Sequence, residues 1–225
     1  MSSVSALDEV RDGRNLRRSH SYDRAVDAVL DLISEGSPSP TAQQIAERAG
    51  ISVRTVFRLA DDIESLHAAA VARQTERIAP LFAEPPADGT TEERVRVLVH
   101  DRIAIFETIA PVRRVGERLA EASPEISRGL ARSRKALRAY VAGAFASELG
   151  ALPGGATDAA LLALDVAASW ETWDQLRRVR GLSTTEAAAV VEGLLLAVLR
   201  DAAGAAGAAG ASRLKRSTSV TRKEV

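Results

Sequence analysis

Between Thr41 and Leu66 the chain reads TAQQIAERAGISVRTVFRLADDIESL, and no other stretch constrains its fold as strongly. Thr41 followed three residues on by Gln44 is a capping box, in which the side chains and backbone amides of a helix start satisfy one another. A helix therefore begins there. It ends near Gly50, the residue type that most easily takes the positive φ of a helix stop. Ser52 caps a short following helix. Two helices this short can pack at a steep angle only if the first is small at the crossing, and Ala46 meets that need. Ile45, Ala49, Ile51, Val56 and Leu59 supply the apolar side chains that join them. Small, glycine and apolar positions thus fall where a helix-turn-helix within Thr41–Leu59 requires them. Spacing leaves one alternative open, an ordinary helical hairpin with a glycine turn.

On the second of these helices the residues not needed for packing are Ser52, Val53, Arg54, Thr55 and Arg58. Arg54 and Arg58 are four apart and share a face. An arginine can donate two hydrogen bonds to guanine, worth about 1–3 kcal/mol of base discrimination. Thr41 and the free amides at its helix start suit a phosphate. Residues 1–20 are polar and end in a basic run; we read them as a flexible arm whose Arg14, Arg17 and Arg18 reach DNA backbone or minor groove. The alternatives are solvated surface arginines and a solubilising tail.

The remainder reads as helix throughout. Ala25, Val26, Val29, Leu30 and Ile33 follow helical spacing up to Gly36. Asp61 with Glu64 predicts a capping box for a fourth helix. Thr90 with Glu93 opens a fifth, Pro111 starts a short segment, and Ser123-Pro124 opens a helix running to about Leu149. A helix over 157–180 stops at Gly181, and Ser183 with Glu186 caps a last one ending near Arg200. The Ala-Ala-Gly run after it, with glycine every third residue, predicts a low-complexity, disordered tail over 201–225.

Composition supports an all-α fold, because apolar content is 46% but aromatic content only 4%, the balance being Ala, Leu and Val. No alternating strand pattern appears. With no cysteine, disulfides, thiolate metal sites and cysteine nucleophiles are excluded. The three histidines (His20, His67, His100) are far apart, so no metal or other cofactor is expected. No leader-like apolar core and no bilayer-length run occur, which predicts a cytoplasmic protein without a membrane partner. Charge is balanced, 30 basic against 30 acidic residues, so any DNA-binding charge must be local. There is no Gly-rich phosphate loop, metal-ligand spacing or nucleophile elbow, and the acids Glu117, Glu121 and Glu125 fit a helix surface; no enzyme and no catalytic residues are expected.

Over residues 22–66 the chain resembles the TetR family of bacterial regulators. The resemblance rests on Ile45-Ala46, Ala49-Gly50-Ile51-Ser52, Thr55-Val56-Phe57 and Glu64-x-Leu66 in the expected order. It implies a three-helix DNA-binding head (21–67), a helical ligand-binding and dimerisation body (68–200), double-stranded operator DNA as partner, and repression relieved by a small effector. It also adds Phe57 to the DNA-facing set, at a position where tyrosine is common. The chain departs from the family at Ala60, usually aromatic, and at Ile63, usually a phosphate-contacting lysine, beside the acidic Asp61 and Asp62. A helical dimeric interaction or ligand-binding protein with a degenerate head is the alternative these departures support. In the body the resemblance implies a homodimer through the last two helices, with Leu161, Leu164, Trp173, Val191, Leu194, Leu195 and Val198 as interface residues. The competing reading places these side chains in the protomer's own core. A hydrophobic effector would be lined by His100, Ile103, Phe106, Tyr140, Phe145 and Trp170.

Overall fold

The computed structural model describes residues 3–60, 63–78, 84–86, 88–153 and 155–221, with side chains from 15 to 207 within these ranges. The fold is all-α: no strand occurs among the described residues. The helices are α1 (Ser3–Ser34), α2 (Ala42–Ala49), α3 (Val53–Leu59), α4 (Ile63–Ile78), α5 (Thr91–Leu119), α6 (Pro124–Ala144), α7 (Ala146–Gly150), α8 (Ala156–Ala167), α9 (Trp170–Asp174), a π-helical turn (Gln175–Val179) and α10 (Thr184–Thr221).

They form two compact units, one of residues 1–79 and 109–132, the other of 80–108 and 133–225. The expected boundary between 67 and 68 is therefore corrected: all of α4, the end of α5 and the start of α6 belong with the N-terminal helices. The reason is burial, since Val112, Val115, Ile126 and Leu130 share one core with Val26, Val29, Ile45 and Leu66. Hydrophobic contact, not chain order, decides which segments make a unit.

In the first unit α1 packs on α2, α3 and α4. Its Ala25, Val26, Val29 and Ile33 are essentially inaccessible, as their 3,4-spacing requires. Arg73 of α4 donates to the carboxylates of Asp23 (2.6 Å) and Asp27 (3.1 Å) on α1, and Arg77 reaches Asp27 at 2.6 Å. Such partly exposed pairs add little stability each, but the shared acceptor sets the rotation of α4 against α1. Gly36 has φ +100, the predicted stop beyond α1.

Five expectations about helix limits are corrected. The arm is helical where described, because α1 is continuous from Ser3; a helix already nucleated extends at little cost through residues such as Leu16, Arg17 and Arg18. The tail likewise continues α10 to Thr221. Alanine's propensity carries it through Gly204 and Gly207, each of which costs about 1 kcal/mol. Pro111 does not begin a helix but lies inside α5; the missing N–H removes one backbone bond, while buried Ile109, Val112 and Val115 anchor the turns beside it. The single helix expected over 157–180 is broken at Ser169, whose hydroxyl and that of Thr172 donate to the Val166 carbonyl at 2.8 and 2.6 Å. Side chains that bond the local backbone compete with the helical ladder in this way. The helix expected to run to Leu149 also breaks, at fully buried Phe145, with φ −121 and ψ 29.

In the second unit α8 packs on α10 and α7 on both. Arg94 of α5 is buried and pairs with Glu148 of α7, whose carboxylate also accepts from Thr91 at 2.8 Å. Burial raises the Glu148 pKa, and the bonds from Ser147 and Thr91 with the Arg94 charge outweigh that, leaving it below its ordinary value. Ser183 and Glu186 form the predicted capping box at the start of α10, with backbone bonds of 2.8 and 3.2 Å. No helix among the described residues is long and apolar enough to cross a membrane, and no group of His, Asp or Glu among them could hold a metal.

Candidate nucleic-acid interface and body groove

The α2–turn–α3 unit is built as its residues dictate. Thr41 caps α2, accepting from the Gln44 amide at 3.3 Å and donating its own N–H to Gln44 Oε1 at 2.9 Å. Gly50 adopts φ +61, ψ 41, and the Ile51 amide closes the turn onto the Ala46 carbonyl at 3.0 Å. Ala46 is 3% exposed at the crossing, so a larger side chain there would push the helices apart. Arg24 of α1 reaches across and donates to the Gly50 carbonyl at 3.2 Å. That arginine was not singled out from the sequence; nothing in local spacing signals a contact made twenty-six residues away.

Ser52 caps α3, accepting from the Thr55 amide at 3.1 Å, and its hydroxyl lies 2.8 Å from that of Thr55. Val56 and Leu59 are buried beneath the helix. What α3 presents to solvent is Val53, Arg54, Phe57 and Arg58, with Phe57 60% exposed. Sequence reasoning grouped Thr41, Ser52 and Thr55 with these. The structure engages their hydroxyls in helix caps, while Thr41 and Ser52 stay exposed. Arg17 and Arg18 are exposed on α1, in the same unit.

Local charge is concentrated by pairing. On α2, Arg48 is held by Glu35 at 2.5 Å, and this hydrogen bond keeps the Glu35 carboxyl below its ordinary pKa. Arg48 is thereby neutralised. Arg54 and Arg58 form no ion pair among the described residues, so α3 carries net positive charge on an apolar-cationic face. Asp61 and Asp62 lie outside the described residues.

In the second unit a groove of about 590 Å³ opens between α6 and the α8–α9 break. Leu137, Val166, Trp170 and Leu176 give it an apolar surface, and Ser169 and Gln175 add polar groups. Two ion pairs lie along it, Arg134–Glu171 at 2.9 Å and Arg138–Asp165 at 3.2 Å. Of the six expected lining residues only Trp170 borders this groove. Phe106 lines a small chamber beside it, with Arg102 and Trp173. His100 is corrected outright: α5 buries Leu98, Val99 and Arg102, and His100 turns to the opposite, exposed face. Phe145 is core beneath Arg94, and Tyr140 donates its hydroxyl to Asp101. Ile103 is half-buried and borders neither cavity.

The expected dimer residues divide similarly. Leu164, Trp173, Val191 and Leu195 are buried within the protomer, packing α8, α9 and α10 into its own core. They are therefore unavailable to a partner. Leu161 and Val198 are half-buried, and Leu194 alone of the seven is exposed. Among the described residues of α8 and α10, the large apolar side chains left outside are Leu162 and Val166 on α8 and Val190 and Leu194 on α10, at 56, 56, 38 and 44% exposure. Each pair is four residues apart, one helical turn, so each helix offers a stripe.

No family model matches the chain, and no curated protein matches it in sequence. Solved structures do share its fold. A TetR-family transcriptional regulator from Mesorhizobium loti MAFF303099 aligns with a TM-score of 0.61 at 20% identity, over 82% of this chain and 97% of that one. A TetR-family regulator from Streptomyces coelicolor gives 0.61 at 19% identity, over 83% and 90%. GusR of Salmonella enterica gives 0.55 at 17% identity, over 80% and 95%. The chain thus has the helix-turn-helix-headed, all-helical fold of the TetR-family transcriptional regulators.

Proposed function

We propose that the chain is a homodimeric DNA-binding transcription regulator, a repressor that leaves its operator when a small apolar effector occupies the body. One observation carries the DNA-binding part: α3 buries Val56 and Leu59 and turns Val53, Arg54, Phe57 and Arg58 outward from a turn pinned by Gly50 and Arg24. A short helix so held, with cations flanking apolar side chains, suits a major groove, where arginine reads guanine and apolar groups meet thymine methyls. Arg17 and Arg18 add phosphate neutralisation. Balanced overall charge is compatible with this, because Arg48 is cancelled locally and the α3 arginines are not.

Dimerisation is assigned to the exposed stripe of Leu162, Val166, Val190 and Leu194. Two-fold pairing through α8 and α10 would bury it, and a two-fold protein matches a pseudo-palindromic site. The effector is assigned to the groove over Leu137 and Trp170. Repression and release follow the pattern the family resemblance implies. The effector must bind the DNA-free state more tightly, or it shifts nothing.

The test is capture of genomic fragments by the purified chain, sequenced at several salt concentrations. A recurrent two-fold-symmetric motif, with affinity falling steeply as salt rises, is expected. Absence of enrichment even at low salt refutes the proposal.

A further inference from the structure

One group in the second unit has no structural account. Arg102 of α5 is 3% exposed, and no carboxylate pairs with it among the described residues. Its Nη2 donates to the Leu137 carbonyl at 2.7 Å, while Nε is buried without an acceptor. The nearby carboxylates are occupied: Asp101 accepts from Tyr140, and Asp165 accepts from Arg138. The rings of Phe106 and Tyr140 lie 5.9 and 5.3 Å from the guanidinium carbon, giving cation–π attraction but no acceptor. Burial lowers the Arg102 pKa to about 10, so the group remains a cation near neutrality. Asp165 and Asp101 stabilise the charge through space without bonding to it, and a buried cation with an unsatisfied N–H calls for a specific reason.

The surroundings supply one. Arg102 lines the small chamber with Phe106, Ser169 and Trp173, and Ser169 also lines the 590 Å³ groove. Leu137, whose carbonyl Arg102 holds, borders that groove as well. The chamber has room for roughly one water-sized group, the size of a carboxylate oxygen rather than a ligand body. Ser169, shared by chamber and groove, lies at the α8–α9 break. Beyond it come Gln175 and Leu176 of a π-helical turn, an irregularity frequent at functional sites.

From this geometry we infer that the body binds a monocarboxylate with an apolar body, its carboxylate meeting Arg102 in the chamber and its hydrocarbon lying over Leu137, Val166 and Trp170 in the groove. The unsatisfied Nε–H can donate one charge-assisted bond to a carboxylate oxygen of that size. Because the ligand supplies the missing acceptor as an anion, neutral analogues make a weaker bond there. The regulatory meaning of this site rests on the effector reading above; the binding itself does not.

The chain's two tryptophans, Trp170 and Trp173, both sit here, so their fluorescence reports occupancy in the full-length protein. Octanoate and phenylacetate are titrated against octanamide and phenylacetamide. The expected result is saturable binding with at least one acid about ten-fold or more tighter than its amide, as charge-assisted bonds require. R102M should abolish that preference and R102K retain part of it. Equal affinity of acids and amides, no saturation by any acid at millimolar concentration, or a preference that survives in R102M overturns the inference. The acid–amide comparison in the wild-type chain stands even if R102M fails to fold. Capture of operator DNA is scored separately: its failure refutes the regulator reading alone, and loss of acid preference with intact DNA capture refutes this inference alone.

Discussion

Replacing Gly50 by alanine tests the head at the point where its two short helices are set. At φ +61 an L-side chain is strained by about 1–2 kcal/mol. The added Cβ would lie 2.6 Å from Arg24 Nη2, so that arginine must move away. Its exposed bond to the Gly50 carbonyl is then lost, at about 0.5–1.5 kcal/mol. Alanine also restricts the unfolded chain, which returns about 0.4–1 kcal/mol. The net destabilisation is about 2 kcal/mol, confined to the first unit. Native-state amide exchange over 46–56 reads it there, at fixed protein concentration because association shifts apparent stability. Gly50→Asn keeps the Arg24 collision but tolerates the left-handed backbone better, and should cost about 1 kcal/mol less. In an Arg24→Ala background, Gly50→Ala should lose its collision component, leaving a coupling of about 1 kcal/mol. Exchange unchanged by Gly50→Ala, or strict additivity with Arg24→Ala, would refute the claim that this turn is held by a left-handed glycine and an arginine strap.

Other expectations concern the two proposed surfaces and one buried histidine. Arg54→Ala should weaken operator binding by about 1–3 kcal/mol while lowering non-specific binding less; equal losses in a competition titration would deny it a base-reading role. Leu162→Glu combined with Leu194→Glu should yield a folded monomer by sedimentation, and a persistent dimer would place the interface elsewhere. His67 is buried in the first unit, and burial lowers its pKa from 6.5 despite the opposing charge of Glu64. Below that value the unfolded chain takes up a proton that the folded chain resists. Stability should therefore be full above pH 6.5 and decline as pH falls toward the folded pKa. His67→Leu should flatten this part of the profile in urea unfolding, and an unchanged slope would assign it to other groups.

How much of this was legible in the chain differs by element. The head was readable almost residue by residue. Its signals are local: Thr41 with Gln44, Gly50 and Ser52 each act within three or four residues, and their hydrogen bonds form as spacing predicts. The stops at Gly36 and Gly181 and the box at Ser183–Glu186 belong to the same class. Apolar periodicity also identified which helices have buried faces. It could not say against what those faces are buried. Leu164, Val191 and Leu195 carry the same pattern whether their partner is a neighbouring helix or a second copy, and only the packing of α8 on α10 put them inside the protomer. The exposed Leu162–Val166 and Val190–Leu194 stripes emerged by subtraction.

Tertiary structure likewise decided that Arg24 straps a turn, that Arg102 is buried with an unsatisfied Nε, and that Ser169 interrupts a helix beside a groove. Sequence by itself determined the all-helical class, the helix-turn-helix and its outward arginines, because capping and amphipathic spacing are short-range properties of the chain. The groove, the unpaired cation and the available surface were decided only when distant helices met, because burial and charge compensation depend on neighbours that no local spacing encodes.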